Sequence, residues 1–407
     1  MSDPMTARTL SMAAPEALLV AERPGPRDPR PGLSGLEPAV LAAWLRDRAV
    51  PAYRAKQVRD HLWTRSDGTF AAMQTLPAPL RAELEAAFRA DALMETDVRP
   101  ADAGLTEKAL HMLDDGTVVE SVSMHYPPRA GRRERHTICI SSQAGCAVGC
   151  PFCATGELGF GRDLDVAEMV DQVRFWQRRL TPAGSHVTNV VFMGMGEPLL
   201  NAERVFAAAA ALTDPERFGL GARHVTISTS GVVPGIEALS ALRPRYTLAV
   251  SLHAARPELR DVLVPLNRRY PAARVVEAAT AYAEATGRRV SYEVVMIEGI
   301  NDTPVDAAAM ARLLRGRLVH VNLIPMNPVA HTPWQPSSPE RIAVFAAILE
   351  AAGVATTVRH NRGIEIGAAC GQLAAERAGT PSPSAVARRR ELLERQSAAA
   401  LVGAAAR

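Results

Sequence analysis

The chain has 407 residues, 47% hydrophobic and 22% charged, and 46 basic against 43 acidic side chains leave a net charge of +3. This balance allows one large core plus a smaller domain and excludes a broadly basic protein, so any nucleic acid must be held through local patches. Five cysteines are too few and too uneven for a disulfide scaffold, and no window approaches eighteen uninterrupted apolar residues, so a soluble, cytoplasmic protein with no membrane span is expected.

Residues 1–36 are rich in Pro, Gly, Ala and Arg and read as a flexible arm. Their one apolar run, Leu18-Leu-Val20, is short and sits between Glu16 and Glu22-Arg23, unlike a signal peptide. Residues 37–95 read as a small helical accessory domain. Leu41, Trp44 and Leu45 share one helical face, Val58, Leu62 and Trp63 another, and Pro77 opens a helix carrying Leu80, Leu84 and Phe88. Residues 96–134 read as a linker and a β-hairpin, with strands Lys108–Leu113 and Val118–Val122 around an Asp114-Asp-Gly116 turn and Glu120 on the second arm. The basic segment Arg129–His136 follows, equally suited to phosphates and to a solvated turn.

From residue 135 to 353, strands and helices alternate. Strands are expected at Thr137–Ser141, Asn189–Met193, His224–Ser228, Thr247–Ser251, Val290–Met296 and Val319–Ile324, with helices near 165–179, 201–213, 235–242, 272–285, 304–314 and 340–352. Six such units predict an α/β fold with parallel strands, a partial (β/α)6 TIM-like barrel; an open doubly wound sheet has the same periodicity. Residues 354–376 add a seventh strand, Ala355–Arg359, and a loop carrying Cys370. Residues 377–407 return to Ala, Arg, Ser and Pro and read as a flexible tail in which 388–396 suits a short amphipathic helix.

Chemistry concentrates in Gly145-Cys-Ala-Val-Gly-Cys-Pro-Phe-Cys-Ala-Thr-Gly156. Cys146, Cys150 and Cys153 are spaced so that one compact loop can fold three soft thiolates around a metal centre, either an iron–sulfur cluster or zinc. A structural zinc site wants a fourth ligand close by, whereas a cubane held by three thiolates leaves one iron open. The Cys-x3-Cys-x2-Cys order, placed after the first barrel strand, resembles the radical S-adenosylmethionine enzymes, in which the cofactor's amino and carboxylate groups take the open iron.

Met193-Gly-Met-Gly-Glu-Pro-Leu199 ends the second barrel strand. Gly196 lets backbone approach a ligand and Glu197 can accept hydrogen bonds from an ammonium; the same residues also suit a tight strand-to-helix turn. Ser228, Ser251-Leu252-His253 and Asn327 follow successive strands, where their common placement would line one rim of a barrel.

Several long motifs in one order carry a closer resemblance. Tyr53-Arg-Ala-Lys-Gln57, Cys139-Ile-Ser-Ser-Gln-Ala-Gly-Cys146, Gly194-Met-Gly-Glu-Pro198, Ser228-Thr-Ser-Gly-Val-Val-Pro234, Asn322-Leu-Ile-Pro-Met-Asn-Pro328 and Ala369-Cys-Gly-Gln-Leu373 resemble the RlmN-type RNA adenine C2 methyltransferases over roughly residues 38 to 375. The resemblance implies one [4Fe-4S] cluster on Cys146, Cys150 and Cys153, two S-adenosylmethionine molecules per methylation, and cofactor contacts from Gly196, Glu197, Ser228, Ser251, Leu252, His253 and Asn327. It implies that Cys370 is first methylated, that an adenosyl radical then removes hydrogen from its S-methyl group, and that the methylene radical adds to adenine C2. Glu120 then removes the C2 proton, and Cys139 attacks the Cys370 sulfur to free the product and leave a disulfide. The implied substrates are 23S ribosomal RNA near the peptidyl-transferase centre and the adenosine 3′ of the anticodon in some transfer RNAs. An external donor such as flavodoxin or ferredoxin supplies electrons, and nothing calls for a dimer.

Two positions depart from the family pattern: Gly367 stands where an acidic residue is usual, and Asn361 where Thr is common. Three other readings share parts of the pattern: a Cfr-type adenine C8 methyltransferase of 23S rRNA, a non-catalytic iron–sulfur RNA-binding protein, and a zinc-bound adaptor.

Overall fold

The computed structural model describes residues 25–129, 131–329, 331–359, 362–369 and 371–373. The expected roles of Cys370 and Asn361, residues 1–24 of the arm and the tail with its helix at 388–396 therefore lie outside the described residues.

The first helices are α1 (Pro38–Asp47), α2 (Tyr53–Arg59) and α3 (Ala78–Ala87). Prolines in the first turn of α1 and α3 supply a pre-set φ where no backbone donor is needed. Leu41 and Leu45, then Leu80 and Leu84, are buried four apart on one face of each helix.

Four antiparallel strands come next: β1 (Leu93–Ala101), β2 (Thr106–Leu113), β3 (Val118–Tyr126) and β4 (Arg135–Cys139). The sequence reading anticipated β2 and β3 around their Asp-Gly turn but not β1. That strand is at the sheet edge, is mostly half-buried and contains Glu95, Asp97, Arg99 and Pro100, so it lacks the apolar alternation that announces a strand.

The short β5 (Gln143–Gly145) and β6 (Phe160–Asp163) pair with each other and bracket α4 (Ala154–Leu158). After α5 (Val166–Leu180), strand and helix alternate through β7 (Asn189–Phe192), α6 (Ala202–Thr213), β8 (Val225–Thr229), α7 (Val233–Leu242), β9 (Thr247–Ser251), α8 (Pro257–Leu263), α9 (Ala272–Thr286), β10 (Val290–Met296), α10 (Pro304–Leu314), β11 (Val319–Pro325), α11 (Pro339–Ala351) and β12 (Thr356–Val358).

The ten-stranded sheet runs β1-β2-β3-β4-β7-β8-β9-β10-β11-β12, and every pairing from β4 to β12 is parallel. The order never reverses, so the sheet is wound in one direction as in a barrel, and the doubly wound alternative is set aside. Its two ends, β1 and β12, do not pair among the described residues: the barrel is partial. Val190, Phe192, Ile227, Leu248, Val250, Val294, Val321 and Leu323 are wholly buried along these strands, the near-continuous apolar runs expected of parallel strands covered on both faces.

One long helix ties the N-terminal helices to the barrel. Asp165 and Glu168 cap α5 reciprocally, and the fully buried Arg174 donates to the carbonyls of Leu62 (3.0 Å), Ala90 (3.2 Å) and Asp67 (2.5 Å) while pairing with Asp171. No described helix is long and apolar enough to cross a membrane.

Candidate active site

Two cavities open at the C-terminal ends of the parallel strands. The first, with about 940 Å³ of open space, is lined by Cys146, Cys150 and Cys153, by Gly196 and Glu197, and by Ser228, Ser251 and His253. Thus eight residues singled out from the sequence meet in one place.

The cysteine loop is pinned at both ends. Cys146 N–H donates to Gly159 O (2.7 Å) and Cys153 N–H to Cys150 O (3.1 Å), while Gly145, at φ +75°, must be glycine because a Cβ there would lie 1.9 Å from Gly159 O. Burial pushes all three thiols upward, Cys146 to about 12, so without a metal they hold their protons. The three cysteines of this one loop face the same cavity. Three soft thiolates set around one space are a donor set that an iron–sulfur cluster takes.

Opposite the loop, Glu197 is buried and accepts from Ser230 N–H (2.7 Å), Ser230 Oγ (2.8 Å) and Leu199 N–H (3.0 Å). Burial raises its carboxyl above the usual range, and the Ser230 hydrogen bonds oppose that rise. Gly196 has φ +102°, and a Cβ there would meet Gln143 at 2.5 Å, so this turn requires glycine. Ser228 Oγ donates to Phe192 O (2.5 Å).

His253 holds a left-handed backbone, φ +59°, rarely adopted by non-glycine residues. Its Nδ1 accepts from Val295 N–H (3.1 Å), and its ring meets Phe152 of the cysteine loop edge-on. Burial, with the nearby Arg260 charge, lowers its pKa to about 3, so the ring is neutral. Leu252 and Asn327 are buried but are not among the residues lining this cavity; Leu252 packs in the main core.

The second cavity, about 670 Å³, is lined by Val122, Met124, Tyr126, Cys139, Arg362 and Ala369 among others, and shares Met193, Ile324, Arg359 and Leu373 with the first. Cys139 closes β4 directly opposite Val122 of β3. Glu120 is two residues before Val122 and hence on the same strand face, one step deeper and fully buried, where Oε1 accepts from Lys108 Nζ (3.3 Å). A Cβ on Gly367 would lie 3.5 Å from that Lys108 Nζ, so a carboxylate at this position could reach the same lysine.

The residues flanking position 370 divide between the cavities: Ala369 lines the second and Gly371 the first. Gly371 O accepts from Ala154 N–H (2.7 Å) and Leu373 O from Thr155 Oγ1 (2.6 Å), which holds this segment against the residues after Cys153.

Sequence reasoning missed Ser230, Arg260, Glu293 and Arg359. Glu293 lines the first cavity from β10; Asn322 Nδ2 donates to its Oε1 (2.8 Å), and burial raises its carboxyl despite Arg359 nearby. Its signal was readable, since a lone acid in Val-Ser-Tyr-Glu-Val-Val-Met is an anomaly in a parallel strand.

Residues 140–311 match the Radical SAM superfamily. The chain is 49% identical over 342 residues to a probable dual-specificity RNA methyltransferase RlmN of Parafrankia sp. (strain EAN1pec), covering 80% of this chain and 87% of that protein. It is 46% identical over 367 residues to the probable dual-specificity RNA methyltransferase RlmN of Thermobifida fusca (strain YX), covering 88% and 98%. The crystal structure of a radical SAM methyltransferase from Sphaerobacter thermophilus superposes with a TM-score of 0.82 at 45% identity, covering 85% of this chain and all of that one.

Proposed function

The chain belongs to the RlmN family of radical S-adenosylmethionine methyltransferases, and on that premise we propose that it methylates C2 of adenosine in 23S rRNA and in transfer RNA, at the adenosine 3′ of the anticodon. The observation that carries this reading is the pair of cavities joined at Met193, Ile324, Arg359 and Leu373, with the three loop cysteines in one and Cys139 in the other.

Cys146, Cys150 and Cys153 would hold a [4Fe-4S] cluster, and Gly196, Glu197, Ser228, Ser251 and His253 would hold S-adenosylmethionine. When bound there, the pair supplies a 5′-deoxyadenosyl radical, using an electron from an external donor such as flavodoxin or ferredoxin. Glu197, already the acceptor of three hydrogen bonds, offers its carboxylate to the cofactor's ammonium. Leu252 and Asn327, expected from the resemblance to contact the same cofactor, are buried and are not among the residues lining the cavity.

The protein's own chemistry is a relay of sulfur and carboxylate. The Cys370 thiolate takes a methyl group, whose carbon later bonds to adenine C2. Glu120 accepts the C2 proton, and its buried pairing with Lys108 keeps it oriented. Cys139 attacks the Cys370 sulfur, the sulfur–carbon bond breaks, and a Cys139–Cys370 disulfide remains for external reduction.

Residues 37–95 serve as an accessory RNA-binding domain: Tyr53 is exposed, with Arg54 stacked 4.8 Å over its ring. The enzyme works as a cytoplasmic monomer in this reading. Anaerobic turnover with ribosomal and transfer RNA, followed by nucleoside mass spectrometry, tests it. The expected product is 2-methyladenosine; 8-methyladenosine would move the protein to the Cfr-type reaction, and intact cofactor under competent reduction would end the catalytic reading.

A further inference from the structure

The ribbon that carries Glu120 and Cys139 ends in a cluster the methylation scheme leaves unused. In the β3–β4 register His125 stands directly opposite His136. Glu134 is two residues before His136 along the same extended chain, which puts it on the same face of the ribbon. A directly opposed pair plus one diagonal neighbour is the arrangement in which three side chains of a two-stranded ribbon converge.

The atoms do converge. His125 Nε2 is 2.7 Å from Glu134 Oε1, His136 Nε2 is 3.4 Å from the same oxygen, and one ligand atom from each residue lies within 4.8 Å of the other two. Ligands bound tetrahedrally at ~2.0 Å from one ion stand roughly 3.3 Å apart, so these separations bracket that spacing. The two imidazole rings are stacked nearly parallel, centroids 4.3 Å apart, so metal binding requires one ring to turn about its Cβ–Cγ bond and bring its in-plane lone pair onto the shared ion. Independently, the His136 side chain is only 7% exposed, yet neither of its ring nitrogens makes a hydrogen bond. Its Nε2 faces Glu134 Oε1 without the alignment of a hydrogen bond, a long contact between two lone-pair-bearing atoms that an ion seated between them would turn into two bonds.

Besides His125, the basic group that acts on His136 is His186. Arg135 alternates to the other side of the ribbon, where it and Arg362 lie 4.1 and 4.3 Å from the centre of the Tyr126 ring. Glu134 and His125 are partly exposed and leave an entry path from solvent.

We propose that His125, Glu134 and His136 form a site for one divalent transition-metal ion of the zinc class, separate from the cysteine loop. Two imidazoles and a carboxylate are borderline ligands that suit zinc and leave a fourth position for water. The ion staples the open end of the β3–β4 ribbon three register pairs from Cys139. It also steadies the His125 carbonyl, which accepts from Arg362 Nη1 (2.8 Å) at the mouth of the second cavity. This inference is independent of the methylation reaction.

The test uses cluster-loaded holoenzyme, in which the cysteine thiolates are already engaged. After dialysis against zinc chloride and then metal-free buffer, wild-type protein retains a single zinc per chain beyond its iron. His136→Ala and the more exposed Glu134→Gln lose that zinc while keeping the cluster's visible absorbance and the far-UV circular dichroism. X-ray absorption at the zinc edge then shows only nitrogen and oxygen neighbours with imidazole scattering. No zinc retained by the wild type, undiminished zinc in both variants, or sulfur in the zinc shell overturns the assignment.

Discussion

Replacing Arg260 with Met removes the group on which the cofactor-side loops converge. Its guanidinium is fully buried and donates to the carbonyls of Ser230 (2.6 Å) and Leu252 (2.9 Å) and to Asn267 Oδ1 (2.8 Å). Burial lowers its pKa to about 10, while the Cys150 sulfur, as an anion, opposes that fall. Methionine fills the stem's volume but leaves buried acceptors without donors, each costing about 1–3 kcal/mol. Part of this is offset because a charge no longer has to be buried, so the net loss should be about 3–5 kcal/mol. Ser230 is also the residue that donates twice to Glu197, so the loss reaches the cofactor cavity. Anaerobic urea denaturation of the cluster-loaded enzyme should show the lower midpoint, and equilibrium dialysis should show S-adenosylmethionine binding weakened by about tenfold or more, about 1.4 kcal/mol. Arg260→Lys, which keeps the charge but not the fork, should fall between the two. Arg260→Met with unchanged midpoint and unchanged cofactor affinity would mean that the β8 and β9 loops hold their shape unaided, and the assigned role would be wrong.

Gly196→Ala should abolish cofactor binding while leaving cluster assembly intact, because φ +102° costs a side-chain-bearing residue about 1–3 kcal/mol and the new Cβ would lie 2.5 Å from Gln143; isothermal titration with S-adenosylmethionine reads this. Cys139→Ala should still attach to RNA but fail to release it, giving a protein–RNA adduct on denaturing gels, whereas Cys370→Ala should give neither adduct nor product; multiple turnover by Cys139→Ala would remove that residue from the scheme. His111, buried between Thr96 and Ser121, has its pKa lowered to about 3 by burial first and by Arg178 second. The unfolded chain takes up this proton below about pH 6.5 while the folded protein refuses it, so stability falls as pH drops through the window from 6.5 toward 3. From pH 7 to pH 5 the loss is roughly 2 kcal/mol, and His111→Asn should shrink the measured difference by that amount.

The parallel strands were legible because burial on both faces writes them as continuous apolar runs, and the helices between them because their apolar positions recur at helical spacing. The rim residues were legible for a related reason: Ser228 and Ser251 break such runs at their C-terminal ends, and the fold gathers those ends into one cavity. What stayed hidden depends on neighbours distant in the chain. Arg260 reads as an ordinary surface arginine until α8 turns it under the Leu252 and Ser230 carbonyls. His125, Glu134 and His136 are spaced without any metal-binding motif, and only the antiparallel register brings them together.

A partial barrel also changes where a large substrate can enter. A closed barrel would seal β4 against its last strand, but here β4 is extended outward by β3 and β2, and β12 leaves its far edge open. Among the described residues after β12, none pairs as a strand across this gap. Arg362 donates to His125 O (2.8 Å), Gly363 N–H to Asp102 Oδ2 (2.9 Å), and Ala154 N–H reaches Gly371 O (2.7 Å), so side chains and single backbone bonds tie the seam from ribbon to cysteine loop. Each of these ties is a single hydrogen bond, where a sealed sheet would present a continuous ladder. The second cavity lies along that seam, between Cys139 and Ala369. Gly367 removes one further tie that a carboxylate facing Lys108 would have made, leaving that lysine to Glu120. An enzyme that must admit a base still attached to a polynucleotide, and later release it from a sulfur, is served by a seam held in this way rather than by a closed wall.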